Sequence, residues 1–136
     1  MPPRSLSAHD YRLLGGFRAQ LRSFLAFSEE AARRHGLTPQ QHQLMLAVPA
    51  AQLTPTVGDL AQVLALKHHS TVGLVDRLQQ RGMVKKQRDA ADGRVVRVHL
   101  TAKGERVLFR LSLQHRDELR RRGPALVTAL RRLLRS

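Results

Sequence analysis

The stretch from Thr56 to Gly82 leaves few folds open: it reads as helix, tight turn, helix, with a hairpin immediately after it. Thr56 offers a hydroxyl to the free N–H groups of a first helix, and Asp59, three residues on, adds negative charge at the positive end of its dipole. Leu60, Val63 and Leu64 recur at helical spacing as the buried side of that helix, and Ala61 is small enough to let a second helix approach. The second helix, His68 to Arg81, puts Thr71, Leu74, Val75 and Leu78 on one face, and Gly82 can take the left-handed conformation that stops it. Its other side is polar: His69, Gly73, Asp76 and Gln80, with Ser70 and Arg77 on one shoulder and Val72 on the other.

Met83 to Arg88 and Val95 to Leu100 are β-prone runs joined by a turn-rich link that ends in Asp92-Gly93, the pattern of a hairpin. It carries Lys85, Lys86, Arg88, Arg94 and Arg97. A helix pair followed at once by a basic hairpin is the winged form of the helix-turn-helix. In that arrangement the second helix can enter a major groove while the wing lies along the backbone and its tip reaches a minor groove.

Helices flank this module. Residues 1–6 read as a loose tail, then Ser7 to Asp10 has the form of a capping box. Tyr11, Leu14, Phe17, Leu21, Phe24, Leu25 and Ala32 place an apolar stripe on a long helix that stops near Gly36. Three of the four phenylalanines lie in that helix, which needs a surface to pack against, either the chain's own core or a dimer seam. Thr38-Pro39 with Gln41 starts another helix through Val48, with Leu44, Met45 and Val48 inward, and Pro49 to Pro55 is a linker. After the wing, Thr101 caps a helix from Ala102 to Arg122. Gly123-Pro124 ends it and begins a last short helix over 125–134. The fold class is therefore mostly α with a small β-hairpin wing, a single winged-helix domain over 1–136. Its DNA-binding lobe covers 38–100, with the wing at 83–100, and the terminal helices at 7–35 and 102–136 are candidates for dimerisation.

Charge narrows the partner. Twenty-four Lys plus Arg against ten Asp plus Glu give a net +14, so a large polyanion is expected. No cysteine is present, which excludes a disulfide scaffold and a thiol redox switch. The chain has no long apolar run and its start lacks a signal-peptide core, so a cytoplasmic, nucleoid-associated protein without membrane contact is expected. His68 and His69 diverge by about 100° on a helix and make a poor metal pair. His35, His42 and His115 have no cysteine or carboxylate in register beside them. No nucleophile turn, phosphate loop or carboxylate pair points to an enzyme, and no cofactor is expected.

Leu60-Ala61, Leu64-Ala65-Leu66, Leu74-Val75-Asp76-Arg77-Leu78, Arg81-Gly82, Arg88-Asp89, Asp92-Gly93-Arg94, Leu100-Thr101 and Gly104 occur in an order and spacing that resemble the MarR family (multiple-antibiotic-resistance regulators) of winged-helix transcription factors. The resemblance covers about residues 10 to 120. It implies a homodimer whose first and last helices interlock with the partner's, double-stranded DNA as ligand, and in many members a small aromatic or phenolic anion as effector. It also implies that Arg94, in the family's Asp-x-Arg pattern, reaches the minor groove while Asp92 helps hold the wing tip, and that the Pro49 to Pro55 linker can hold a short third strand paired with the wing. The missing cysteine sets aside only the peroxide-sensing branch.

Lys67, His68, His69 and Ser70, at the start of the second helix, are the first candidates for base contact, because that end points most directly at base edges. Histidine and serine do not dictate a base, so no operator can be read from them. Val72 can meet a thymine methyl or stand at the core edge. Gly73 departs from the family, which commonly has a larger polar residue there, and so removes one contact or lets the helix come closer. Arg77 grips a phosphate or pairs with Asp76, while Lys85, Lys86 and Arg88 serve phosphates. The competing class is a basic, sequence-indifferent architectural protein. It would share the charge, but would need neither the wing nor the apolar terminal helices.

Overall fold

The computed structural model describes residues 5–135. Residues 1–4, most of the expected loose tail, and Ser136 lie outside the described residues. The elements in order are α1 (Ala8–Arg34), α2 (Pro39–Ala50), α3 (Val57–Leu64), α4 (His68–Gln80), β1 (Val84–Arg88), β2 (Val96–Leu100) and α5 (Ala102–Arg135). They form two compact units. One comprises the described residues up to Ala31 together with those from Leu113 onward, and the other is Ala32–Ser112.

Three helix starts are built by their own side chains. The Ser7 amide donates to Asp10 Oδ2 at 2.8 Å and the Asp10 amide to Ser7 Oγ at 3.2 Å, which fixes the start of α1. Thr38 and Gln41 make the same reciprocal pair before α2, and Thr56 and Asp59 before α3. Each box satisfies two orphan amide donors and is worth about 1 kcal/mol. At α4, by contrast, Lys67 occupies the cap position and no side chain caps the helix.

In the Ala32–Ser112 unit, Leu44 and Met45 of α2, Leu60 of α3, Leu74, Val75 and Leu78 of α4, Val84 and Val98 of the hairpin, and Leu108 and Leu111 of α5 form the core. Thr71 is also fully buried, because its hydroxyl donates to the Lys67 carbonyl at 3.0 Å and leaves no polar atom unsatisfied. Val63 departs from expectation: it is 71 % exposed. The buried face of α3 centres between Leu60 and Ala61, and at 100° per residue Val63 falls about 110° away from it. Val48 is half-buried.

β1 and β2 pair antiparallel, from Val84 opposite Leu100 to Arg88 opposite Val96. The expected third strand shrinks to one bridge, Thr56 with Arg97, beside a 2.9 Å bond from the Val98 amide to the Pro55 carbonyl. The linker itself starts later than Pro49, which lies inside the last turn of α2. Between α3 and α4, Ala65 takes the left-handed conformation at φ 53° and turns the chain.

The terminal helices depart most from the sequence reading. Gly123-Pro124 does not divide them; α5 runs unbroken through both residues to Arg135. A proline removes one helical donor and ordinarily drives the residue before it out of the helix by a clash with that residue's Cβ. Here the preceding residue is Gly123, which has no Cβ to clash. In the unit made by the two ends, the His115 ring meets Phe24 and Phe27 edge-on at 6.0 and 5.6 Å, and its Nε2 lies 2.7 Å from Ser28 Oγ. Glu118, 6 % exposed, pairs with Arg121 at 2.7 Å and with Arg122. Among the described residues no helix is long and apolar enough to cross a membrane.

Where the hairpin ends, Thr101 ties it to α5. Its hydroxyl donates to the Gly82 carbonyl and accepts the Gly104 amide at 3.0 Å, while its own amide donates to the Met83 carbonyl at 3.0 Å. Gly104 is required by contact, since a Cβ there would stand 2.0 Å from the Met83 carbonyl oxygen. Gly104→Ala should therefore lower stability by about 2 kcal/mol or more, read as a drop in the urea midpoint, whereas Gly93→Ala, whose Cβ would meet nothing within 4 Å, should be nearly silent.

Candidate nucleic-acid interface

The buried stripe of α4 sets its rotation, and so decides what its other side presents. Lys67, His68, His69, Ser70 and Arg77 are exposed, while Val72 and Gly73 are half-buried. His68 and Val72 turn toward the wing and line an open groove of about 400 Å³ with Thr56, Val57 and Gly58 of the α3 start and Lys86, Arg94, Val95 and Val96 of the hairpin. Four of the eleven sequence candidates (His68, Val72, Lys86 and Arg94) are thereby brought to one groove. His69, Ser70, Gly73 and Arg77 stay outside its lining, as do Lys67, Lys85 and Arg88.

Hydrogen bonds give the wing its shape. Asp89 Oδ1 accepts the Ala91 amide at 2.7 Å and the Asp92 amide at 3.2 Å, and its Oδ2 accepts Arg97 Nε at 2.6 Å. Arg97 also donates to the Thr54 carbonyl at 2.6 Å, so one guanidinium joins the hairpin to the linker before α3. Asp92 accepts both the backbone amide of Arg94, at 3.0 Å, and its guanidinium, at 3.2 and 3.3 Å. The Arg94 side chain is nonetheless 92 % exposed, oriented by the carboxylate yet open to a ligand. Arg88 makes a long 3.4 Å contact to the Gly93 carbonyl.

Two functional features were missed in the sequence. Arg97 was counted among the wing cations, yet it is a brace, and its partner Thr54 is 43 residues away, where no local pattern reaches. The Asp89 turn was legible in principle, since an aspartate that bonds amides two and three residues on is a recurrent turn device. Asp76 pairs with Lys86 Nζ at 2.6 Å, so the carboxylate considered for Arg77 belongs to the wing. Among the described residues no group of three or more potential metal ligands comes together.

Comparison with known proteins places this geometry. The MarR family model matches residues 35–95, the span from the end of α1 to the wing. Within that span the chain resembles the MarR family. The HTH-type transcriptional regulator YsmB of Bacillus subtilis is 37 % identical over 65 residues, a match that spans 48 % of this chain and 44 % of that protein. Among solved structures, AbsC, a MarR-family transcriptional regulator from Streptomyces coelicolor, aligns with a TM-score of 0.73 at 17 % identity, over 91 % of this chain and 84 % of its own. The F27L mutant of MepR from Staphylococcus aureus, bound to an oligodeoxyribonucleotide, aligns at 0.68 and 18 % identity, over 90 % and 84 %. At these identities the structural matches establish the MarR fold. They extend it beyond the span of the family model into both terminal helices.

The carboxylates that shape the wing titrate low. The Arg97 guanidinium first, then the Ala91 and Asp92 amides, hold Asp89 below the usual carboxylate range. Asp92 is held down by Arg94, through its side chain and then its amide. A carboxyl lowered in the folded state contributes stability that is complete above the ordinary carboxylate value of about 4 and is lost as pH falls through the lowered one. The urea midpoint should accordingly fall as pH is taken from about 5 toward 3. Asp89→Asn should lower it at neutral pH and flatten that decline; an equally steep decline would place the acid-sensitive contacts elsewhere.

Proposed function

We propose that this chain is a sequence-specific DNA-binding transcriptional regulator of the MarR family, acting as a homodimeric repressor of a pseudo-palindromic operator. The observation that carries the reading is the groove where His68 and Val72 of α4 face Lys86 and Arg94 of the wing. It puts a helix end made for a major groove beside an exposed arginine suited to the narrow, electronegative minor groove of A·T-rich DNA. Lys67, His69, Ser70 and Gly73 would meet base edges or let the helix approach them, and Arg77, Lys85 and Arg88 would take phosphates. The uncapped start of α4 supports the same docking, since free amides at a helix N-terminus attract phosphate.

A dimer is supported by exposed apolar side chains on both helices of the terminal unit: Tyr11, Leu14 and Leu25 on α1, and Val127, Leu130 and Leu134 on α5. Two copies double the net +14 of one chain, so affinity should fall steeply with salt. In this reading the protein works in the cytoplasm on the nucleoid, needs no cofactor and performs no catalysis. A small aromatic or phenolic effector would relieve repression by favouring a spacing of the two recognition helices that misfits the operator, and only to the extent of its difference in affinity for the two spacings.

Selection of bound duplexes from a random pool at near-physiological salt tests the central statement. An inverted repeat with half-sites about one helical turn apart is the expected result, and binding without a motif would make the protein a sequence-indifferent architectural factor. On the selected operator, Arg94→Ala should cost about tenfold in affinity with the dimer intact, and unchanged binding would remove the wing from recognition. His69→Ala should shift the preferred bases more than the salt slope; a uniform loss on every sequence would reduce His69 to a backbone contact.

A further inference from the structure

The polar row of α4 holds one carboxylate, Asp76, and no other acidic residue lies in the helix. His68, Val72 and Asp76 follow one another at four-residue spacing and so stand in a row along the helix. The first two line the groove against the wing, and the third reaches across to Lys86 Nζ on β1 at 2.6 Å. The pair is open to water, with 35 % of the lysine side chain and 45 % of the aspartate side chain exposed. An ion pair in that setting is weak and is readily exchanged for another partner.

On the surface proposed to face DNA, a carboxylate is costly. Phosphates repel it, and so do the guanine O6 and N7, adenine N7 and thymine O4 acceptors of the major groove. Only the exocyclic amino groups, N4 of cytosine and N6 of adenine, can donate to it. Lys86 has the opposite preference: released, it gains a phosphate and liberates a counterion. Resting on the regulator reading above, the geometry points to Asp76 as a specificity-determining residue. Paired with Lys86, it keeps one cation of each lobe from the backbone. Where the bound sequence presents an amino group in register, Asp76 accepts from that base and Lys86 passes to a phosphate. Where it presents only acceptors, the pair stays closed and the lobe binds with one cation fewer. The discrimination thus joins a base contact to a backbone contact through a single exchange.

The test measures affinity against salt for the wild type, Asp76→Asn, Lys86→Met and the double variant. Each is measured on the selected operator and on a random duplex, with thermal unfolding alongside to confirm folding. Asp76→Asn should bind the random duplex more tightly, steepen its log–log salt dependence by about 0.9 per lobe, and shrink the ratio of operator to random affinity by about tenfold. Lys86→Met should lose more on the operator than on the random duplex. The gain from Asp76→Asn should vanish in the Lys86→Met background. A gain that survives without Lys86 would show that Asp76 merely repels DNA, and equal losses on both duplexes with an unmoved slope would make the pair a wing brace. Either result overturns the proposal. A protein that enriches no motif fails the regulator reading itself, whereas a clear motif with an unmoved ratio in Asp76→Asn fails only the role given to Asp76.

Discussion

One face of α4 fixes what the rest of the lobe can present. Thr71, Leu74, Val75 and Leu78 are buried together, and the Thr71 hydroxyl has turned back to the Lys67 carbonyl so that even its polar atom fits the core. A helix held along that stripe cannot rotate without exposing several large side chains, each worth roughly 1.5–3 kcal/mol of burial. The direction of His68, Val72 and Asp76 is therefore set from behind. A groove with a constant outline needs such a fixed wall, because the wing opposite is only two strands, and an isolated two-stranded hairpin is marginal in water.

The hairpin gains its permanence from scarce negative charge used for geometry. Among the carboxylates of this lobe, Asp59 closes a helix start, Asp89 shapes the turn and holds Arg97, and Asp92 orients Arg94. Cations that would repel one another across a short ribbon are thereby spaced. Arg94, at the tip, has only an exposed carboxylate contact and can still turn to a ligand. Arg97 is held on two sides and cannot do the same without loosening the linker before α3. Two arginines three residues apart in the same hairpin thus differ in kind.

Much of this was legible in the residues, for reasons that differ from one feature to the next. Helix starts were plain because a capping box is a local bond between residues three apart, and Thr38 with Gln41 and Thr56 with Asp59 form as their spacing predicts. The buried face of α4 followed from periodicity alone. Val63 did not, since eight residues give too short a run to fix the centre of a stripe. Gly123-Pro124 misled because the pair was read as a helix stop and restart, whereas the effect of a proline on a helix depends on whether the preceding residue carries a Cβ. The groove was only half visible: its helix residues could be named, but the pairing of Asp76 with Lys86 and of Arg97 with Thr54 joins elements whose approach is decided by the whole core. The role of each candidate toward DNA rests on the proposed function and its tests.

The bare start of α4 links two properties usually considered apart. Every other helix of this lobe that opens on a loop is closed by a threonine, while Lys67 leaves the first amides of α4 without a side-chain cap. A serine or aspartate at position 67 would add about 1 kcal/mol to the resting lobe. It would also remove a positive charge and occupy the amides that, in the proposed function, an incoming phosphate needs. On that proposal, thermostability gained at position 67 would come at the expense of affinity, so a stabilising consensus change there would trade against activity. The lobe retains a slightly unfinished helix, and the missing cap is the kind of group a nucleic-acid backbone can supply.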